Sequence, residues 1–331
     1  MLGQEKGLKE ILLQIDNLRI VFDTYQGQVY ALSGVNLALL EKRITGLVGE
    51  TGCGKSVTAK AILRLLPPNA RVVGGQIWFR GEDLLQKTER EMERIRGEKI
   101  AMVFQSPRAS LNPVFTIEQQ LGFVVRRHLG LKGKQARAYC LELLKMVGIG
   151  DPVRRLKNYP FELSTGMCQR VMIGMAISCK PSLLIADEAT TALDVTIQAQ
   201  ILALLTHLVQ EIGLTTMIIT HDLGVVSETC DYVAVMYAGQ IIEFGSVNEV
   251  LGNPLHPYTR GLLRSSFING DKHKFYYLTG AVPTLYNPPK GCVFMPRCPE
   301  REDCPSEDPP TIVTESGHLV RCWLLKDENF S

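Results

Sequence analysis

The stretch Ile44-Thr45-Gly46-Leu47-Val48-Gly49-Glu50-Thr51-Gly52-Cys53-Gly54-Lys55-Ser56 decides the fold class. Its first five residues are a compact apolar run of strand length, and residues 55–66 have helical spacing that stops at Pro67-Pro68. Between them, Gly49 to Ser56 fits G-x-x-x-x-G-K-[ST], directly after a strand and at the opening of a helix. The glycines let backbone N–H groups turn inward around phosphate oxygens, and the helix N-terminus adds partial positive charge. Gly49, Glu50, Thr51, Gly52, Cys53, Gly54, Lys55, Ser56 and Val57 are therefore expected to bind the phosphates of a nucleotide. Lys55 would neutralise the β- and γ-phosphates, and Ser56 would give its hydroxyl to Mg²⁺.

A complement lies downstream. Leu183-Leu184-Ile185-Ala186-Asp187-Glu188 is an apolar strand that delivers two carboxylates at its C-terminal end, where ligands gather in parallel sheets. Asp187 would hold Mg²⁺ through water, and Glu188 would polarise the attacking water as general base. His221 follows an expected strand at 216–220, and Gln105 closes another at 100–104. Either residue alone reads as structural. Their common place at strand ends of one sheet argues for a role at the same site.

Working outward, strands are expected at 11–20, 29–40, 76–79, 183–186 and 232–237, and helices at 117–129, 135–147, 169–178, 196–212 and 247–251. Strands alternating with helices indicate a parallel α/β sheet, here interrupted by a helical insert at about 106–180. After residue 253 the composition shifts, and ten prolines fall between Pro254 and Pro310 with little periodicity. Such a segment needs a staple to be ordered. Four of the nine cysteines, Cys292, Cys298, Cys304 and Cys322, crowd into this tail and are the obvious candidate. The expected division is a domain over 1–252 and a Pro-rich, Cys-rich one over 253–331.

With 331 residues the chain can bury a sizeable core, and 45% hydrophobic against 21% charged residues places it away from the disordered class. Lys plus Arg at 36 against Asp plus Glu at 34 leaves +2, which gives no electrostatic argument for nucleic acid as a partner. No run reads as apolar enough to span a bilayer and no secretory signal is evident, so a cytosolic place is expected.

Leu163-Ser164-Thr165-Gly166-Met167-Cys168-Gln169-Arg170 resembles the signature motif of ATP-binding cassette (ABC) ATPases. The stretches from Asp187 to Gln200 and from Asn253 to Thr259, and the cysteine tail, are similar to the dipeptide/oligopeptide/nickel importer branch. The resemblance implies an α/β P-loop NTPase cassette with an N-terminal antiparallel part, a helical insert and a small C-terminal domain. It implies an ATPase that energises import of peptides or a related solute. Two subunits, the second a paralogue in that family, would meet head to tail, so that Ser164 and Gly166 contact the γ-phosphate in the partner's site. Gln105 would sense the γ-phosphate and contribute to Mg²⁺ binding, His221 would position γ-phosphate and water, and Asp194 would contact the other subunit. An aromatic near the N-terminus would stack on adenine: Tyr25, with Tyr30 as alternative. Two transmembrane permeases and, indirectly, an extracytoplasmic binding protein would be partners, with this subunit peripheral on the cytoplasmic membrane face.

Two positions depart from that pattern. Thr165 stands where the signature has glycine and would crowd the approach to γ-phosphate, and Ala189 replaces a proline after the catalytic glutamate. For the four tail cysteines, thiolate chemistry alone fits tetrahedral Zn²⁺ or an iron–sulfur cubane. The resemblance implies [4Fe–4S] with a structural role. Cys53, inside the phosphate loop, would make nucleotide binding sensitive to thiol modification. A soluble cassette protein outside transport is the alternative from a different class.

Overall fold

The computed structural model describes residues 11–189, 194–266, 280–286, 288–302 and 304–325. Residues 190–193 of the Asp187 motif lie outside them. The chain forms two compact units, 1–87 with 220–331, and 88–219. The expected boundary at 252/253 falls inside the first, and the expected helical insert inside the second.

In the first unit, β1 (Ile11–Thr24) and β2 (Gly27–Leu40) pair antiparallel, with Ile15 opposite Leu37. β1 buries Leu12, Leu13, Ile15, Leu18 and Ile20. The break in its alternation between Ile15 and Leu18 is taken up by a register shift, with Asn17 at φ +48°. Then come β3 (Ile44–Val48), buried throughout, and α1 (Lys55–Ile62). α1 ends four residues before the sequence suggests, because Arg64 turns to φ +51° and returns its N–H to the Ala61 carbonyl. β4 (Ala70–Phe79) starts six residues earlier than expected because Ala70 to Gly74 pairs with β1. β5 (Glu82–Asp83) completes a sheet in the order β2-β1-β4-β5.

The second unit opens on α2 (Glu89–Ile95), capped reciprocally by Thr88 and Glu91. β6 (Ile100–Val103) and α3 (Pro107–Ser110) follow. α4 (Ile117–Leu129) has the expected bounds, fixed by the Thr116–Gln119 capping box and by Gly130 in the left-handed region. Next are α5 (Gly133–Met146), α6 (Pro152–Arg155) and α7 (Thr165–Ile177). β7 (Leu183–Asp187), α8 (Val195–Ile212) and β8 (Thr215–Ile219) close the unit. β6, β7 and β8 lie parallel in that order, with Ile100 beside Leu183 and Asp187 beside Ile219. Buried on both faces, such strands read as continuous apolar runs. α8, at 18 residues and mean hydropathy 1.2, is long and apolar enough to cross a membrane, contrary to the expectation of no such run. Its residues Ile201, Leu204, Leu205 and Leu208 are buried at helical spacing while Gln200, His207 and Gln210 are exposed, the pattern of a helix packed by one face.

Back in the first unit are α9 (Leu223–Thr229), β9 (Tyr232–Tyr237), β10 (Gln240–Ser246), α10 (Val247–Gly252), α11 (Pro257–Ser266), β11 (Thr311–Val313) and β12 (Leu319–Arg321). β3 lies parallel to β9, whereas β10, β12 and β11 continue antiparallel beyond it.

The tail is no separate Cys-rich body. Tyr258 and Phe294 are fully buried in one cluster with Val48, Val235 and Tyr237, and β12 pairs with β10. The staple among the described residues is a buried carboxylate. Glu243 accepts the N–H groups of Leu255 (2.7 Å) and His256 (3.1 Å) and bonds His318 Nε2 at 2.8 Å. An unexposed carboxylate needs such partners. Burial also lowers His256 to about 4, and its neutral ring accepts the Tyr258 N–H at 3.0 Å.

Candidate nucleotide site

The site is built first from the turn that leaves β3. Gly49 lies at φ +151°, and a Cβ there would meet the Met236 carbonyl at 2.1 Å, so no other residue fits. Gly54, at φ +110°, caps α1 and would collide at 2.8 Å with Leu32 and Met236. Gly52, at φ +83°, faces open space beside exposed Thr51. Lys55 is 6% exposed, and its Nζ donates to the carbonyls of Gly49 (2.8 Å) and Glu50 (3.0 Å). The ammonium is thereby folded over the loop. Ser56 and Val57 follow in the first turn of α1, half-buried. Cys53 is fully buried, and burial pushes its thiol up. Both facts work against the thiol sensitivity expected from its position.

Glu50 is held from outside the loop. Its N–H donates to the Tyr258 hydroxyl at 3.0 Å, and its Oε2 accepts from Arg297 Nη1 at 2.9 Å. Sequence reasoning missed both partners, carrying them only as members of the tail motifs. Nothing local marks them, since they lie 208 and 247 positions away.

In the second unit, β7 ends in Asp187, buried at 7% exposure, and Glu188 follows in the left-handed region at φ +46°. A non-glycine residue there is uncommon and turns the side chain out of the strand path. The Glu188 N–H is fixed by the Ile219 carbonyl at 3.0 Å, and its Oε2 accepts from Gln105 Nε2 at 2.6 Å. The structure therefore brings Gln105 and Glu188 together. Ser164 caps α7, accepting the Met167 N–H at 3.2 Å. Gly166 is buried, and a Cβ on it would press Ile197 at 2.7 Å. Asp194 caps α8 through the Ile197 N–H at 2.9 Å.

His221 is exposed and lies in the first unit, just before Asp222, the cap of α9. Tyr25 is fully exposed at the tip of the β1–β2 hairpin. Tyr30 is part-exposed, and its N–H donates to the Leu285 carbonyl at 2.8 Å.

The model of the family described as "ABC transporter" matches residues 32–191, and that of "Oligopeptide/dipeptide transporter, C-terminal region" matches 242–304. The dipeptide transport ATP-binding protein DppD of Bacillus subtilis (strain 168) is 46% identical over 320 residues, 95% of either chain. The chain belongs to the ABC transporter ATP-binding proteins. The oligopeptide transport ATP-binding protein AppD of the same organism is 45% identical, covering 96% of this chain and 98% of its own. Among solved structures, the cassette MJ0796, a dimer bound to ADP and Pi in a post-hydrolysis state, aligns with a TM-score of 0.64 at 27% identity. It covers 71% of this chain and 98% of its own.

Within this ABC ATP-binding protein the two departures take a local form. Thr165 is the first residue of α7 and keeps a right-handed helical backbone, so it carries no glycine-type strain. Ala189 is 7% exposed, a small residue in a tight place. As for the tail cysteines, burial pushes the Cys322 thiol up to about 12, and the charges of Cys292, Cys298 and Cys304 act on it in the same direction. Burial also pushes the Cys298 thiol up, against a backbone hydrogen bond from Glu300 that lowers it. Among the described residues, however, no group of three or more His, Cys, Asp or Glu side chains is arranged to hold a metal ion.

Proposed function

We propose that this subunit hydrolyses ATP to energise import of dipeptides or oligopeptides through membrane permeases. The observation that carries the reading is the strand–loop–helix at 44–62, with Gly49 where a Cβ would collide with the Met236 carbonyl and Lys55 folded over the loop. The names of the relatives support a peptide cargo.

The loop N–H groups and Lys55 bind the β- and γ-phosphates of ATP, with Tyr25 against the adenine. Glu188 accepts the proton of the attacking water, and Gln105 orients its carboxylate through the 2.6 Å hydrogen bond. His221 positions the γ-phosphate and the water. The Ser56 hydroxyl, the buried Asp187 carboxylate and the Gln105 amide oxygen are hard oxygen donors of the kind Mg²⁺ prefers, and that ion would neutralise phosphate charge. Ser164 and Gly166 serve the γ-phosphate of a second, paralogous ATP-binding subunit, with Asp194 at the same contact. Closure of the two subunits on ATP drives the permeases, and hydrolysis resets them. An extracytoplasmic binding protein delivers the cargo, and the subunit sits peripherally on the cytoplasmic membrane face.

The test is co-purification with the proteins encoded beside it, reconstitution in vesicles, and an uptake panel of labelled dipeptides, oligopeptides and a nickel complex. ATP-dependent peptide uptake is expected. Uptake of nickel alone would overturn the peptide cargo, and ATPase activity with no permease partner would favour the soluble alternative.

We further propose that Cys292, Cys298, Cys304 and Cys322 hold a [4Fe–4S] cluster with a structural role. Four soft thiolate donors in one unit suit it, as they suit Zn²⁺. Anaerobic purification should give about four irons and four sulfides per chain with broad visible absorption. A stoichiometric zinc content without iron would overturn it.

A further inference from the structure

The mechanism leaves Tyr258 and Arg297 without a part, although both end on the second residue of the phosphate loop. Tyr258, at the start of α11, is fully buried, with its ring 4.7 Å from that of Tyr237 and 5.4 Å from that of Phe294. Its hydroxyl, deep in an aromatic cluster, takes the Glu50 N–H. Arg297 closes the short 3₁₀ turn Met295–Arg297, and its side chain is only 5% exposed. It lies over the Tyr237 ring at 5.7 Å, donates to the Tyr237 hydroxyl at 3.3 Å and pairs with the Glu50 carboxylate, itself 25% exposed. Such a pair escapes most of the solvent screening that weakens surface ion pairs. Lys55 holds the Glu50 carbonyl, so N–H, C=O and carboxylate of this one residue are all fixed.

A phosphate loop must present several N–H groups at once, and any loop that is free to reshape loses affinity by the cost of ordering it on binding. Gly49 and Gly52, both at positive φ, give this loop that freedom. The restraint on the N–H and carboxylate of Glu50, between them, comes from the tail.

We propose that Tyr258 and Arg297 are positioning residues that hold the phosphate loop in its nucleotide-receiving shape, making the C-terminal tail a working part of the ATP site. The proposal rests on the ATPase reading. Arg297 also sits next to Cys298, so order in the cysteine region reaches Glu50 through one residue.

The test uses the complete reconstituted importer and reads KM for ATP separately from kcat. R297Q is expected to raise KM about tenfold with kcat within about twofold, since reacting groups are untouched. R297K should recover part of the loss, and Y258F should raise KM by several-fold. The R297Q/E50Q double variant should lose no more than the worse single one, the signature of a shared interaction. KM within twofold of the unaltered importer in both R297Q and Y258F would overturn the proposal, as would losses in R297Q and E50Q that simply multiply. If R297Q does not fold, Y258F decides, because it removes one oxygen and leaves the aromatic packing in place. An unaltered importer that neither binds nor hydrolyses ATP would remove the ATPase reading itself, whereas an active importer indifferent to these variants removes only this one.

Discussion

Glu188→Gln is expected to bind Mg-ATP within about threefold of the unaltered protein and to hydrolyse it about 10²–10⁴-fold more slowly, the range for losing a positioned general base. Three features set this apart from a structural loss. The φ of +46° belongs to the backbone and is as available to Gln as to Glu. The Glu188 N–H stays on the Ile219 carbonyl. An amide oxygen can still accept from Gln105 Nε2, so the side chain keeps its place while losing its basicity. Phosphate release in a single turnover measures the chemistry, and nucleotide titration measures binding. With hydrolysis blocked, ATP should also trap the closed pair of subunits, visible as a larger species in gel filtration. Normal turnover in this variant would remove Glu188 as the base.

Lys55→Met carries the second large effect and divides it the other way, into binding. Met matches the length of the lysine stem but brings no charge and no donor. Charge-assisted hydrogen bonds are worth about 1.5–3 kcal/mol each. Losing one or two to phosphate should weaken Mg-ATP binding about 100-fold or more. Lys55→Arg is not expected to restore it, because the guanidinium fork needs room that a 6%-exposed site between the Gly49 and Glu50 carbonyls does not have. Titration with a fluorescent nucleotide reads both variants, and affinity within threefold in Lys55→Met would refute the phosphate role of Lys55.

Both residues stand at places the sequence displays. Ile44–Val48 and Leu183–Asp187 read as strands because each is an unbroken apolar run, and the candidate site residues sit directly at their ends. α4 was legible to its last residue because its start and stop signals are both local, a capping box and a left-handed glycine. Where signals were not local, reading failed. Ala70 to Gly74 becomes strand only through pairing with β1, and β10 and β12 define each other across the distance from Glu243 to Val320. α11 was lost among prolines, although Pro257 stands at its first position, where a proline costs nothing. The buried Glu243 that orders the tail had no sequence signal, since a lone glutamate in QIIEFGS looks like any surface acid.

The sequence by itself displayed the glycine-rich loop at 49–56, the acidic strand end and the Ser164–Gly166 stretch at the start of α7, because each is a contiguous segment shaped by neighbours within a few residues. Tertiary structure alone decided that Cys53 is sealed, that Gln105 holds Glu188, and that Tyr258 and Arg297 close on Glu50. These contacts span 83, 208 and 247 positions. They form only when burial of the surrounding core repays the entropy of closing such loops, and no local pattern records which distant residue that core will bring into reach.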